Sequence, residues 1–328
     1  DRINRLTTGV FEMGSTFKAL TLAMALDSGK MSLASSFDAR QSLRYGKFTI
    51  NDFHAQRRML TVPEIFTYSS NIGTARMALA LGVGIAAPVC AEEWRDLFNG
   101  KDLSGWTPKI NKHPLGENYA DTFRVEDGVI KVGYDEYAKF EDRFGHLYTN
   151  LPYSRYILRL EYRFTGKAIE DSPPWAKLNS GVMVHSQSPL SLRLDQGFPV
   201  SMEFQFLAAG ATAGTQTGNA VSPGTHLERG GKLVTDHIID AKAALSPLDR
   251  WVKAEIEVRG NEEIIQRIDG VEVMRYQRPQ LDPTDPDAAR LLAAGAPLQL
   301  SFGHIALQAE SQPIWFRNVQ IKSLESQP

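Results

Sequence analysis

The alternation of apolar and polar residues divides this chain into a helical beginning and a strand-rich remainder. Residues 17–28 and 62–81 carry helix-forming residues with apolar positions at helical spacing. After residue 91, apolar and polar residues alternate in eight segments: 122–132, 155–164, 181–187, 200–207, 251–258, 262–276, 297–308 and 313–324. Such alternation is typical of strands with one buried face. The pattern predicts a mainly β fold, a jelly-roll or concanavalin-like β-sandwich preceded by a short α-helical fragment.

Turn-forming residues separate these predicted strands. Asp269-Gly270 lies between two alternating runs and predicts a hairpin. Residues 282–296 contain several Pro and Asp residues and are expected to form a loop with one helical turn.

The junction between the two parts is the longest uncharged run of the chain, residues 77–91. It is shorter than the roughly 20 apolar residues that a membrane-spanning helix needs. It has the character of a secretory leader, with small residues before a possible cleavage at Glu92, although a buried helix followed by a linker would look similar. We therefore expect three regions, 1–82, a signal-peptide-like junction at 83–91, and 92–328, in a periplasmic or secreted bacterial protein.

Composition narrows the possible partners. The 328 residues include 36 Lys and Arg against 38 Asp and Glu, for a net charge of −2, which argues against nucleic acid as a partner. The single cysteine, Cys90, excludes an intramolecular disulfide framework and a thiolate metal cage. Any metal ion would need His, Asp, Glu or carbonyl ligands.

The N-terminal part contains a Ser-x-x-Lys motif at Ser15 and Lys18, a spacing that places hydroxyl and amine on one helical face. A Ser-Ser-Asn segment with Ser69 and Asn71 follows it. With the flanking residues, residues 1–82 resemble class B penicillin-binding proteins, the cell-division peptidoglycan transpeptidases. The resemblance implies that Ser15 is the acyl-enzyme nucleophile, Lys18 its base, and Ser69 and Asn71 the second motif. The family's Lys-Thr/Ser-Gly motif is absent, so these residues are interpreted as vestigial and transpeptidase activity is disfavoured.

Two strands of the C-terminal part combine an apolar face with a polar face. In residues 200–207, Glu203 and Gln205 lie opposite the apolar residues. In residues 181–187, His185 and Gln187 lie opposite the valines. These side chains predict either a solvated outer face or a concave sugar-binding groove.

Six segments in order give the remainder its family resemblance: 97–106, 179–185, 198–205, 217–219, 222–225 and 307–311. Residues 92–328 resemble the 3-keto-disaccharide hydrolase family, which implies a concanavalin-like jelly roll. Residues His185, Glu203 and His237 are the candidate catalytic set. Gln205, Asn219 and Glu310 are the candidate substrate-binding set.

The chemistry of a 3-keto sugar explains why such residues are needed. The ketone acidifies the C2 proton, so a base can form an enediolate that expels the C1 substituent, and water then adds. No cofactor is certain, and a divalent metal ion held by His and carboxylate is possible. We therefore expect a hydrolase that cleaves 3-keto-glycosides or 3-keto-disaccharides, with an oligosaccharide or glycoside as partner and no membrane span in the β-domain. The alternative is a non-catalytic carbohydrate-binding module on the same fold.

Overall fold

The computed structural model describes residues 18, 21, 22, 26, 31–45, 48–52, 55–80 and 93–324. Contacts divide the chain into two units, Asp1–Cys90 with Ser326–Pro328, and Ala91–Glu325. The signal-peptide-like junction at 83–91 lies outside the described residues. Within the described part of the chain, no helix has the length and apolar character needed to cross a membrane.

The N-terminal unit contains short strands beside its helices, which the sequence analysis did not predict. Strands β1 (Ser36–Asp38) and β4 (Met59–Thr61) pair antiparallel, as do β2 (Leu43–Tyr45) and β3 (Phe48–Ile50). Its buried core consists of Ala39, Leu60, Val62, Ile65, Ile72 and Met77. These strands are three residues long, too short for an alternating pattern to identify them.

The helix predicted over residues 62–81 is two helices, α1 (Val62–Thr67) and α2 (Asn71–Ala80). The helical conformation is interrupted at Ser69, whose φ is 51°. Beyond the break, Ser70 Oγ accepts a hydrogen bond from Gly73 N at 2.9 Å, and Asp52 Oδ1 accepts one from Ile72 N at 2.9 Å. Asp52 and Ser70 thus accept hydrogen bonds from backbone N–H groups at the start of α2, which favours the beginning of a new helix at this point.

The second unit is a β-sandwich, which confirms the predicted fold class. Its strands are β5 (Arg95–Asp96), β6 (Trp106–Ile110), β7 (Phe123–Glu126), β8 (Val129–Val132), β9 (Gly145–Thr149), β10 (Arg155–Phe164), β11 (Asn179–Ser186), β12 (Met202–Leu207), β13 (Gln216–Thr217), β14 (Ala220–Val221), β15 (Thr225–Arg229), β16 (Lys232–Val234), β17 (Ile238–Ile239), β18 (Ala243–Ala244), β19 (Val252–Arg259), β20 (Ile264–Ile268), β21 (Val271–Leu281), β22 (His304–Ala309) and β23 (Ile314–Ser323). Short 3-10 helices lie at Tyr119–Asp121, Pro174–Ala176 and Pro189–Ser191.

Two antiparallel sheets form the sandwich. The larger has ten strands in the order β16-β15-β21-β20-β19-β10-β23-β8-β7, with β5 beside β23. The smaller has seven in the order β17-β14-β12-β11-β22-β9-β6. The core between them includes Val182, Phe204 and Phe206 from the smaller sheet and Leu158 and Ile256 from the larger. Alternation along each strand therefore sends the remaining side chains of the smaller sheet to its outer face.

One predicted connection between strands has the expected turn, and another contains a longer helix than was predicted. Asp269 and Gly270 have φ values of 48° and 84° in the β20–β21 hairpin, as a two-residue turn of this type requires. The segment expected to be a loop with one turn holds the eight-residue helix α3 (Pro286–Ala293). Asp285 begins it by accepting hydrogen bonds from the backbone N–H groups of Asp287 and Ala288.

Candidate functional site

The outer face of the seven-stranded sheet carries a continuous group of buried polar side chains. Glu203 and Gln205 lie on it, as predicted from the alternation along β12. The group is Lys109, His146, Glu203, Gln205, Gln308 and Glu310, and each member exposes 5% or less of its surface. The expectation of a solvated face is therefore wrong, because this face is covered.

The cover is the connection between β11 and β12, residues 187–201, which we call the cover segment. Its Leu192 packs against Tyr148, Met183 and Ala306 of the sheet. The ring of Phe198 lies 5.9 Å from that of His146. A 15-residue link between neighbouring antiparallel strands is far longer than a hairpin needs, and here its length lets it fold back over the sheet.

Polar contacts hold the cover segment in place. Lys109 Nζ donates to the carbonyl of Leu194 at 3.1 Å, and Lys112 N donates to the same carbonyl at 2.8 Å. Gln187 was expected to line the polar face, but it forms hydrogen bonds within the cover segment. Its Oε1 accepts hydrogen bonds from Gln196 Nε2 and Val200 N, both at 2.8 Å.

The carboxyl of Glu203 occupies space that is open because residue 181 is a glycine. Gly181 on β11 is flanked by β12, and a Cβ at residue 181 would lie 2.6 Å from Glu203 Oε1 and 2.8 Å from its Cγ. The carboxyl of Glu203 therefore lies over Gly181. Its Oε1 is buried without a hydrogen-bond partner, and burial raises the pKa of this carboxyl to about 8.

Glu310 is the second carboxyl of the face. It follows β22, the other strand that flanks β11, and its Oε2 is also buried without a partner. Burial, and secondly the charge of Glu203, raise the pKa of Glu310 well above its usual range. Glu203 and Glu310 are thus close enough to interact electrostatically, and both carboxyls favour the protonated form in the absence of a ligand.

Other polar atoms on the same face lack partners. They are His146 Nε2, Asn179 Oδ1, and both Nε2 and Oε1 of Gln308. Burying a donor or acceptor without a partner costs about 1–3 kcal/mol, so a concentration of such atoms on one face indicates a ligand-binding site. Burial first and the charge of Lys109 second lower the pKa of His146 to about 3, which keeps its imidazole neutral.

Gln205 and Asn219 are in contact, but both polar atoms of the Asn219 side chain form hydrogen bonds within the protein. Asn219 Nδ2 donates to Gln205 Oε1 at 2.9 Å, and Asn219 Oδ1 accepts from Ala241 N at 2.9 Å. Asn219 therefore positions Gln205 and ties two loops together, while Gln205 lies beside Gly181 in the register of β11 and β12.

His185 does not share the face of Glu203, and the prediction that it does is wrong. The β11–β22 register shifts between Met183 and Ser186, and His185 adopts a φ of 49°. This bulge reverses the side chain, so His185 Nε2 lies 2.9 Å from the carbonyl of Gly260 in the β19–β20 turn of the other sheet. Burial lowers the pKa of His185 to about 4, with the Gly260 carbonyl opposing the shift.

His237 also lies apart from Glu203, contrary to the predicted catalytic set. It is exposed and lines a groove of about 460 Å³ whose lining does not include Glu203. The same groove contains His226, which lies 3.4 Å from Asp282 Oδ2. The three residues expected to act together, His185, Glu203 and His237, therefore lie in three different places in the unit.

The polar side chains of the face that were missed from sequence are Lys109, His146, Tyr148, Asn179 and Gln308. His146 and Tyr148 lie on β9, whose five residues are all buried, so this strand shows no alternation. Gln308 lies in a segment that was predicted as a strand. It lies two residues before Glu310, so the alternation along this strand could have placed both side chains on one face.

The remaining predicted residues belong to the N-terminal unit. Lys18 Nζ donates to Ser69 Oγ at 2.8 Å, and Asn71 Nδ2 donates to the carbonyl of Asn51 at 2.8 Å. Burial lowers the pKa of Lys18, with the charge of Asp52 opposing it. Ser15 lies outside the described residues, so its distance from Lys18 stays undefined.

The donor set does not match a resident metal ion. Among residues 31–45, 48–52, 55–80 and 93–324, and the four described residues before them, no three or more His, Cys, Asp or Glu side chains are grouped to hold a metal.

Comparison with known proteins gives two family matches, which overlap over residues 93–141. Residues 1–141 match the penicillin binding protein transpeptidase domain. The chain is 51% identical over 81 residues to a "Probable peptidoglycan D,D-transpeptidase FtsI" of Caulobacter vibrioides, which covers 25% of this chain and 14% of that protein. The chain spans only 14–25% of the curated relatives it matches, so their activity is not transferred.

Two solved structures give low TM-scores over most of this chain. A β-glucanase of Bacillus licheniformis gives a TM-score of 0.40 at 11% identity, over 71% of this chain and 98% of that one. A carbohydrate-binding module of Bacillus subtilis gives a TM-score of 0.37 at 10% identity, over 67% and 96%. Residues 93–322, more than half of the chain, match the model of the 3-keto-alpha-glucoside-1,2-lyase-like domain. By this match, and with a buried polar site on a β-sandwich, the chain belongs to the 3-keto-alpha-glucoside-1,2-lyase-like domain family.

Proposed function

We propose that the β-sandwich unit cleaves the glycosidic bond of 3-keto-glycosides by 1,2-elimination, with Glu203 as the general base. The observation that carries the proposal is the pair of buried carboxyls, Glu203 on β12 and Glu310 directly after β22, the two strands that flank β11. Each has an oxygen without a partner. Paired titratable groups whose surroundings separate their pKa values are typical of acid–base catalysis.

The two carboxyls suit different roles. Glu203, with a pKa of about 8, is ionised in part at neutral pH and is a stronger base than an exposed carboxylate. It would take the C2 proton, which the neighbouring ketone makes acidic. Glu310 keeps its proton to a higher pH, since the charge of Glu203 adds to the effect of burial. It would donate that proton to the departing C1 oxygen.

The elimination then balances without a redox partner. The C2–H electron pair forms the C2–C3 double bond of an enolate, and its collapse forms a C1–C2 double bond while the C1–O bond breaks. The products are the protonated aglycone and a 2-hydroxy-3-keto-glycal. Addition of water across the new double bond would make the overall reaction a hydrolysis.

Substrate entry requires a movement of the protein, because Glu203 and Glu310 are both buried. The cover segment, which packs on Tyr148, Met183 and Ala306 of the same face, is the candidate for that movement. The segment exposes Leu190 and Leu194, at 85% and 57%, and is attached to the rest of the unit partly through the Lys109–Leu194 contact. We expect it to open for the substrate and to close over it, which would exclude water from the enolate. A site of this kind fits a periplasmic or secreted enzyme that acts on glycosides from outside the cell.

The test is release of p-nitrophenol from a 3-keto-glucoside by the full chain, with and without chelator. Glu203→Gln preserves shape but removes the base, so the rate should fall on the order of 100- to 10,000-fold. Glu262→Gln is the matched control, because Glu262 is an exposed carboxylate that pairs with Arg155 at 2.9 Å on the other sheet. Equal rates for wild type and Glu203→Gln would contradict the proposal. Binding of the sugar without turnover in the wild type would favour the alternative of a carbohydrate-binding module.

A further inference from the structure

We propose that Gln308 and His146 bind the C3 oxygen of the sugar, which is a ketone in the substrate and carries negative charge in the enolate. This inference rests on the proposed function and specifies the orientation of the sugar in that site. Neither residue was singled out from the sequence, and both have polar atoms without partners.

The first argument is position. Gln308 on β22 and His146 on β9 are register partners on adjacent strands. The Glu203 carboxyl lies over Gly181 on β11, the neighbour of β22 on its other side. Adjacent strands are about 4.8 Å apart, so the base and the Gln308 amide are separated by about one strand spacing. That spacing suits groups that address neighbouring carbon atoms of one sugar ring, C2 and C3.

The second argument is hydrogen-bonding capacity. Both polar atoms of the Gln308 side chain are buried without a partner, at 0% exposure of the residue. Nε2 of His146 is in the same condition. An amide N–H and the N–H of a neutral imidazole can donate to one oxygen from neighbouring strands, and such preorganised donors are the usual means of stabilising a developing oxyanion.

The third argument is charge. Lys109 on β6 is the register partner of His146, is 4% exposed, and donates only to carbonyl groups in its described hydrogen bonds. The face therefore has a cation at the β6–β9 end and two carboxyls at the β12–β22 end. An enolate oxygen is stabilised near the cation, while proton transfer needs the carboxyls. The sugar would thus lie with C1 and C2 at Glu310 and Glu203 and with its C3 oxygen at Gln308 and His146.

The experiment compares a 3-keto-glucoside with its 3-deoxy analogue, which lacks the C3 oxygen, in binding to the full chain. The wild type should bind the 3-keto sugar more tightly, and Gln308→Met should abolish this preference and lower kcat on the order of 100-fold. Gln312→Met is the control, because Gln312 is equally buried but donates to the carbonyls of Thr165 and Gly166 away from the face. This control should keep the preference for the 3-keto sugar.

The outcomes separate the inference from the function on which it rests. Cleavage by the wild type, with the preference and kcat unchanged in Gln308→Met, would overturn the inference and leave the elimination standing. Absence of both cleavage and preference in the wild type would overturn both. If Gln308→Met does not fold, His146→Asn serves instead, and it should reduce the same preference; an unchanged preference in that variant would also overturn the inference.

Discussion

Gly181 and Glu203 lie on adjacent strands, and the carboxyl of Glu203 takes the place that a side chain at residue 181 would fill. A Cβ there would lie 2.6 Å from Oε1, 2.8 Å from Cγ and 3.0 Å from Cδ of Glu203. The glycine is therefore required by a close approach rather than by its backbone conformation, since its φ does not lie in the left-handed region.

Gly181→Ala should displace the Glu203 carboxyl while leaving the sheet intact. A shift of about 1 Å in a catalytic group can cost on the order of 100-fold in rate, so we expect a loss of this size in kcat on a 3-keto-glucoside. Gly197→Ala, in the cover segment, is the matched control, because its Cβ would meet only Phe144 and Asn111 at 3.6 and 3.7 Å. Similar rates for the two variants would show that the position of Glu203 is unimportant.

Stability should fall with rising pH, and Glu203 should be one cause. Its carboxyl has a pKa of about 8 in the folded protein against 4.5 as the usual value, so between these two pH values the folded state binds more protons than the unfolded state. The free energy of unfolding therefore decreases across this window, by up to about 1.4 kcal/mol per pH unit for one group. Urea unfolding from pH 5 to pH 8 should show a shallower decrease for Glu203→Gln than for the wild type. An identical slope would mean that Glu203 ionises normally.

His185 should act on stability and not on the reaction. His185→Asn keeps a residue type that tolerates a φ of 49° but loses the contact between Nε2 and the Gly260 carbonyl, at a cost of about 1–3 kcal/mol in unfolding free energy. The turnover number of the folded variant should be unchanged. A 100-fold loss of turnover at unchanged stability would return His185 to the chemistry.

The N-terminal unit should not react with a β-lactam. Lys18 contacts Ser69, which resembles the family arrangement, yet the chain has no Lys-Thr/Ser-Gly motif. We expect no stable acyl-enzyme when the full chain is incubated with a fluorescent penicillin and separated by denaturing electrophoresis. Ser15→Ala is the control, and a labelled band that this substitution removes would contradict the expectation.

The sequence predicted those parts of the site that follow the period of two along a strand. Glu203 and Gln205 were placed correctly because Met202, Phe204 and Phe206 alternate with them. His185 was misplaced because a single bulged residue reverses a side chain without a mark in the alternation.

Features set by distant parts of the chain could not be predicted. The cover segment contains Pro189, Gly197 and Pro199 and resembles an ordinary loop, and its position over the face depends on contacts with β6 and β9. Strand β9 itself is buried on both faces, so His146 and Tyr148 gave no periodic signal. The separation of His237 from Glu203 is likewise a matter of tertiary structure.

The central claim, that the β-sandwich removes the C2 proton through Glu203, is tested most directly with a 3-keto-glucoside deuterated at C2. The sugar product is analysed by mass spectrometry after partial conversion, and substrate incubated without enzyme measures the spontaneous exchange that a ketone permits. Elimination predicts that the wild type releases a sugar without deuterium at C2, and that Glu203→Gln forms such a product only at a greatly reduced rate. A released sugar that keeps its C2 deuterium would contradict the account, because the glycosidic bond would then have broken without proton removal at C2.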